Sequence, residues 1–210
     1  STFSFLTAEQ FIRNIISKKI KSKYIYVSKN FKFGKNRQGN INTLKKFEEK
    51  YNYKTIITPP LKISKKTISS TLIRKKISQG KILEANRLLS RHWCVEGKVI
   101  RGNRRGRKIG FPTCNIKLNN YVIPKLGVYS VKVQTNHFNK KGIANIGYRP
   151  TFNGQKLLLE VNIFGINENL YNKVLSIRFL KFIRKEKKFK NVDQLTRQIK
   201  SDLNIAKKTK

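Results

Sequence analysis

The residues between 97 and 115 read Gly97-Lys98-Val99-Ile100-Arg101-Gly102-Asn103-Arg104-Arg105-Gly106-Arg107-Lys108-Ile109-Gly110-Phe111-Pro112-Thr113-Cys114-Asn115, and their types suit phosphate chemistry. Gly102, Gly106 and Gly110 let the backbone approach a ligand without a Cβ in the way, and the Arg and Lys side chains between them can neutralise phosphate charge. Pro112 favours an extended run after the loop, which puts Thr113 and Asn115 on one face, a pleat apart. A hydroxyl and an amide oxygen there suit Mg²⁺, which takes few protein ligands and shares the rest with water and phosphate. The sequence contains no Gly-x-x-x-x-Gly-Lys-Ser/Thr, so this is not an ordinary P-loop. A basic surface hairpin turning at each glycine is the alternative reading of the same spacing. Glu160 is the candidate carboxylate: Leu157, Leu159, Val161 and Ile163 alternate toward one face of a strand and leave Glu160 on the other.

Gly97-x-Val99-x-x-Gly102 followed by Gly106-Arg107-x-x-Gly110-Phe111-Pro112-Thr113-x-Asn115 resembles the nucleotide-binding signature of the riboflavin kinase family. The resemblance continues through Leu126-Gly127-Val128-Tyr129, Ala144-Asn145-Ile146-Gly147-Tyr148-Arg149-Pro150-Thr151-Phe152, Glu160-Val161, Leu170-Tyr171 and Phe182-Ile183-Arg184-Lys185-Glu186-Lys187-Lys188-Phe189. It implies a Greek-key barrel that transfers the γ-phosphate of Mg-ATP to the 5′-hydroxyl of riboflavin, giving FMN and ADP. Within it, Gly102, Gly106, Lys108, Gly110 and Pro112 would form the loop over the phosphates, and Thr113 and Asn115 would hold Mg²⁺. Glu160 would be the base that accepts the hydroxyl proton, and Arg184 would close over flavin. Tyr148, Phe152 and Phe189 are candidates to flank the isoalloxazine ring. Asn162 stands where the family commonly has a histidine.

Upstream, Phe31-Lys32-Phe33-Gly34 with Arg37 and Gly39, then Ile68-Ser69-Ser70-Thr71-Leu72-Ile73-Arg74, are similar to the later part of the FMN adenylyltransferase domain that precedes the kinase in bacterial FAD synthases. That domain implies a Rossmann-like nucleotidyltransferase fold. Ser69, Ser70, Thr71 and Arg74 would sit at a helix N-terminus, a ready anion site. The family's His-x-Gly-His motif has no counterpart, since His92 and His137 both lie elsewhere, and Ser28 and Asn30 replace the usual Gly and Asp. The expectation is therefore a partial, inactive adenylyltransferase domain over residues 1–90 and a riboflavin kinase domain over 91–210. A fully bifunctional enzyme making FAD, an inactive flavin-binding remnant and a basic RNA-binding protein are the alternatives.

The formal charge of +38, from 48 basic against 10 acidic residues, would ordinarily point to nucleic acid or an anionic membrane. Here the lysines are spread along the chain among abundant Asn and Ile, a composition that base-composition bias explains, so no specific nucleic-acid partner is expected beyond non-specific attraction to RNA. No apolar run approaches the ~20 residues that span a bilayer, and Ser1 to Leu6 lack the features of a signal peptide. Cys94 and Cys114 are too few for a disulfide framework or zinc site. A cytoplasmic setting follows, with riboflavin and ATP as small-molecule partners and no oligomeric state specified.

Positioning these residues requires two kinds of architecture. Thr7-Ala8-Glu9-Gln10 reads as a capping box opening a helix with Phe11, Ile12, Ile15 and Ile16 on its apolar face. Strands at 24–27 and 55–57 flank a charged helix at 44–51, so the first half is α/β. Two helical segments between 69 and 90 meet at Gly80. From Trp93 onward, short β-branched and aromatic runs at 95–101, 127–134, 142–146, 157–164 and 174–182 predict an antiparallel barrel or sandwich. A C-terminal helix capped by Asn191 and Gln194 carries Val192, Leu195, Ile199 and Leu203 on one face.

Overall fold

Thr7 opens the first α-helix of the computed structural model, which describes residues 2–63, 66–102, 105–118, 121–151, 154–166 and 168–209. The Thr7 hydroxyl accepts from the Gln10 backbone and the Gln10 side chain accepts from the Thr7 backbone, the reciprocal cap read from the sequence. Helix α1 (Ala8–Phe11) continues directly into a wider π-helical stretch, Ile12–Ile20, where the sequence pattern implied only α-helix. Strand β1 (Tyr24–Ser28) follows. A second capping box, Asn40 with Thr43, then starts α2 (Ile41–Lys46). Phe47 leaves helical geometry before α3 (Glu48–Tyr51). The charged helix thus begins earlier than residue 44 and is broken once, because Asn40 supplies a start signal of its own. Strand β2 (Lys54–Thr58) pairs parallel with β1, so strand, helices and parallel strand form the expected α/β part. Ile12, Ile16, Val27, Phe33, Leu44 and Tyr53 are its core. A short ribbon, β3 (Lys62–Ile63) with β4 (Lys66–Thr67), ends it.

The chain divides into two compact units between Ile68 and Ser69, whereas the sequence pattern places its domain boundary at 90/91. Helices α4 (Ser70–Ser78) and α5 (Ile82–Leu89) belong to the second unit because Ile77, Ile82 and Ala85 are buried in its core. The rest of that unit is a closed barrel of β5 (Cys94–Ile100), β6 (Cys114–Lys117), β7 (Gly127–Gln134), β8 (Asn139–Thr151), β9 (Gly154–Ile163) and β10 (Val174–Arg184). A one-turn helix, α6 (Arg105–Lys108), lies between β5 and β6. Around the barrel the order is β10-β5-β6-β9-β8-β7, and every pairing is antiparallel. Strands β7, β8 and β9 are sequential neighbours, while β6 returns beside β9 and β10 beside β7. Each of these crossovers is a Greek key.

Alternation sets the two faces. Val95, Val99, Ile116, Tyr129, Val131, Val133, Ile146, Leu159, Val161, Leu175, Ile177 and Phe179 fill the interior. Phe179 packs on Trp93 with centroids 4.7 Å apart and meets the Tyr129 ring edge-on at 5.2 Å, arrangements that favour aromatic pairs. On the outside, α7 (Val192–Lys208) lies against β7, β8 and β10. Asn191 caps it through the Gln194 amide as expected, but Val192 is exposed, and the buried positions are Asp202 and Ala206. Arg184 at the end of β10 holds Asp202 through Nε at 2.9 and 3.0 Å and Nη2 at 2.7 Å. Asp202 is only 2% exposed, so the helix is fastened by a charge pair withdrawn from water rather than by an apolar stripe alone.

Removing one member of such a pair strands the other. Arg184→Met should lower unfolding stability by about 3–5 kcal/mol, measured by urea denaturation.

Candidate active site

Strand pairing assembles the site. Asn115 of β6 is directly opposite Glu160 of β9, and Glu160 is directly opposite Asn145 of β8. Asn145 in turn faces Val128 of β7, and Val128 faces Arg184 of β10, so one lateral row crosses five strands. Cross-strand neighbours on one face of a sheet have Cβ atoms about 4.5–5.5 Å apart, within reach of a shared small ligand. Asn115, Glu160 and Asn145 all lie on the outer face because Cys114, Ile116, Leu159, Val161, Ala144 and Ile146 turn toward the core.

The glycine loop covers one end of this row. A Cβ on Gly102 would fall 2.2 Å from Asn115 Nδ2, so the backbone there touches the side chain it shelters. A Cβ on Gly106 would meet the Phe111 carbonyl at 2.4 Å and come within 3.6 Å of Thr113 Oγ1. Phe111 N–H donates to the Gly106 carbonyl at 2.8 Å, closing the loop on itself. Gly110 has φ +85°, a left-handed conformation that glycine adopts without strain. Asn162 Nδ2 donates to the Pro112 carbonyl at 2.7 Å, so this departure from the family's histidine fastens the loop to β9. Of the two candidate metal ligands, buried Asn115 therefore has a glycine against it, while Thr113 is exposed near the loop. The Lys108 side chain, with Asn103, Arg104 and Phe152, lies outside the described residues.

Two cavities share Pro112 as a wall. One, of about 400 Å³, opens at the barrel mouth between Val99, Arg107, Thr113, Cys114, Val161 and Tyr171. The other, of about 440 Å³, lies between the loop and α7 and is lined by Phe111, Asn162, Phe164, Ile166, Leu203 and Lys207. Both are large enough for part of a nucleotide or flavin. Cys114 turns toward the barrel core as expected, and burial pushes its thiol up to about 11, which leaves it unreactive at neutral pH. No cluster of three or more His, Cys, Asp or Glu side chains suited to a metal occurs among the described residues.

The Arg149 guanidinium, to which no motif spacing assigns a role, is bound at the middle of the row. Arg149 donates to Glu160 Oε2 from Nε at 3.1 Å and from Nη2 at 2.6 Å. Its Nη1 reaches Glu186 Oε1 at 3.2 Å. Burial works against the charge, yet the bonds to Glu160 and then Glu186 leave the Arg149 pKa raised. Glu186 also accepts from Asn145 Nδ2 at 3.1 Å. Asn145 Oδ1 is buried and meets no donor among the described residues, an expensive state unless a ligand supplies one. The signal for these residues was present, since Asn145, Arg149 and Glu186 all stand in the quoted family runs, but no spacing rule gave them roles.

The remaining candidates are dispersed. Arg184 commits its guanidinium to Asp202 and stacks over Phe189 at 5.9 Å. Tyr148 is exposed. In the first unit, Phe33 is a core residue stacked on Phe31. Gly34 packs against the Ala8 backbone, and Arg37 is exposed. In the second unit, Ser69 caps its own helix through the Leu72 amide at 3.2 Å, and Ser70, Thr71 and Arg74 are exposed.

A family model described as riboflavin kinase matches residues 89–210, and one described as FAD synthetase matches residues 1–72. The chain is 43% identical over 212 residues to a bifunctional riboflavin kinase/FMN adenylyltransferase of Buchnera aphidicola subsp. Schizaphis graminum, covering 99% of this chain and 68% of that protein. It is 37% identical over 209 residues to the protein of the same description in Haemophilus influenzae, covering 98% and 67%. A crystal structure described as a macrolide-efflux protein from Streptococcus pneumoniae superposes with a TM-score of 0.85 at 35% identity, covering 100% of this chain and 68% of that one. Among the described residues no helix is long and apolar enough to cross a membrane. The barrel, its site and these matches define a flavin-phosphorylating transferase. The chain belongs to the bifunctional riboflavin kinase/FMN adenylyltransferase family, with its riboflavin kinase match over residues 89–210 and its FAD synthetase match over residues 1–72.

The glycine contacts give a direct check. Gly102→Ala should displace Asn115 and cut riboflavin kinase turnover by about 10²-fold, while the midpoint of thermal unfolding stays near that of the parent chain.

Proposed function

We propose that the chain phosphorylates the ribityl 5′-hydroxyl of riboflavin at the expense of ATP and Mg²⁺, and that the row Asn115–Glu160–Asn145 under the glycine loop is where this happens. The observation that carries the reading is the register, which sets the one outward carboxylate of β9 directly beside the amide of Asn115. Glu160 takes the proton of the attacking hydroxyl, a role that needs a carboxylate within hydrogen-bond reach of it. Asn145 offers its unmatched oxygen to a hydroxyl of the ribityl chain.

Thr113 and Asn115 are the residues that would hold Mg²⁺. The donor set fits: two neutral oxygens beside the glycine loop, one on exposed Thr113 and one on buried Asn115, suit an ion that keeps most of its shell for water and phosphate. When bound, the ion offsets charge on the transferring phosphoryl group. Gly102, Gly106, Lys108, Gly110 and Pro112 form the cover over the nucleotide, and Arg107 at the barrel mouth adds positive charge. Arg184 serves flavin closure indirectly, by holding α7 and Phe189 in place. The kinase sequence is taken as 91–210 and the partial adenylyltransferase sequence as 1–90, with α4 and α5 of the latter packed into the compact unit that holds the barrel, and a cytoplasmic location suits both substrates. Adenylyl transfer by this chain alone is not expected, because the sequence has no His-x-Gly-His motif.

Riboflavin, ATP and Mg²⁺ should yield FMN on chromatography, whereas a parallel reaction started from FMN should yield no FAD. Glu160→Gln should lower kcat by about 10²–10⁴-fold while equilibrium binding of riboflavin, followed by flavin fluorescence, is retained. Undiminished turnover in that variant would remove Glu160 as the base.

A further inference from the structure

Neither Arg149 nor Glu186 has a part in the proton transfer, although Arg149 is bound to the Glu160 carboxylate and Glu186 is bound to Arg149. Both contacts from Arg149 to Glu160 fall on Oε2, and Oε1 takes no hydrogen bond among the described residues. The guanidinium is itself fixed on its other side by Glu186 Oε1 and by the Tyr148 carbonyl at 3.1 Å. Glu186 has little freedom to move away: a Cβ on Gly147 would lie 2.1 Å from its Oε1, so the carboxylate sits directly on the β8 backbone. Glu160 and Arg149 are both partly buried, with side chains 27% and 30% exposed, so the pair is only partly screened by solvent.

We propose that Arg149 is the positioning residue for Glu160. Held in place by Glu186, it grips the carboxylate by one oxygen and presents the other to the substrate hydroxyl. The inference rests on Glu160 being the base and adds a specific division of labour between its two oxygens. A carboxylate on a flexible stem samples several rotamers, and ordering it in advance removes that entropy from the reaction barrier. Lysine cannot replace this arrangement, because one ammonium cannot reproduce the planar pair of N–H groups that reach Oε2 from Nε and Nη2. Glu186 acts one step further out and should matter less than Arg149.

The test is steady-state kinetics on Arg149→Ala, Arg149→Lys, Glu186→Gln, Glu160→Gln and the Arg149→Ala/Glu160→Gln double variant, with and without added guanidinium ion. Arg149→Ala should lower kcat about 10–100-fold with the riboflavin KM within about twofold of the parent value. Guanidinium ion should restore part of that kcat, and should do nothing for Glu160→Gln. The double variant should be no slower than Glu160→Gln alone, because a positioning residue has nothing left to position. Should Arg149→Ala fail to fold, Arg149→Lys carries the test and is expected to lose about tenfold in kcat. Parent-like kcat in a folded Arg149 variant, a loss confined to KM, no response to guanidinium, or a further drop in the double variant would each overturn the proposal. Full activity in Glu160→Gln is a different result: it would remove the base assignment itself, whatever the Arg149 variants do.

Discussion

The register of β6, β9 and β8 is the constraint on which the site depends. Asn115, Glu160 and Asn145 are far apart in sequence and come from three strands, and only antiparallel pairing at one register puts them side by side. A slip of one residue in β9 would turn Glu160 into the barrel and bring Leu159 or Val161 to the surface. The interior prevents this. Leu159 and Val161 are fully buried, and an ionised carboxylate in their place would cost far more than the site could return. The hydrophobic core therefore holds the chemistry in register as well as stabilising the barrel. Closure reinforces it, since each strand has two partners and no edge remains along which to slide.

A second constraint acts at the loop. The backbone at Gly102 and from Gly106 to Pro112 has to lie close to Asn115 and to itself, and its glycines meet that demand in different ways. Gly102 and Gly106 are places of close approach, where a side chain would strike Asn115 or the Phe111 carbonyl. Gly110 has open space around it and is required by its backbone conformation instead. The sequence spacing alone makes these three residues look equivalent.

The gross architecture was legible because it rests on short-range rules. Period-two alternation around Glu160 in β9, the β-branched and aromatic runs of β7 and β10, the Thr7 and Asn191 caps and the stop at Gly80 each depend on residues within one turn or one strand. What was not legible depended on distant partners. The apolar positions of the C-terminal helix suggested a stripe including Val192, yet the helix is set by Asp202 meeting Arg184 from another element. The boundary at residue 90 followed the change from helical to strand pattern, but Ile77 and Ile82 fill the barrel core, and composition carries no mark of which core a helix joins. The motifs brought Thr113, Asn115 and Glu160 to notice, whereas Arg149 became visible only through its contacts. Its family run marks Arg149 as a position of interest, but in a chain with 48 basic residues nothing in that run says which carboxylate it meets.

That charge imbalance sharpens the meaning of the few acidic residues. With cations in large excess, a carboxylate at the surface finds a partner easily, and exposed pairs such as Lys50–Glu9 or Lys173–Glu168 add little to stability. Glu160, Glu186 and Asp202 are different. Each is bound to an arginine through planar guanidinium geometry, and together they tie β8, β9, β10 and α7 to one another around the site. The scattered lysines supply a broad positive field that draws anionic ligands and weakens with salt. Such a field has no direction of its own, so the selectivity of the site has to come from the short-range contacts of these carboxylates and amides.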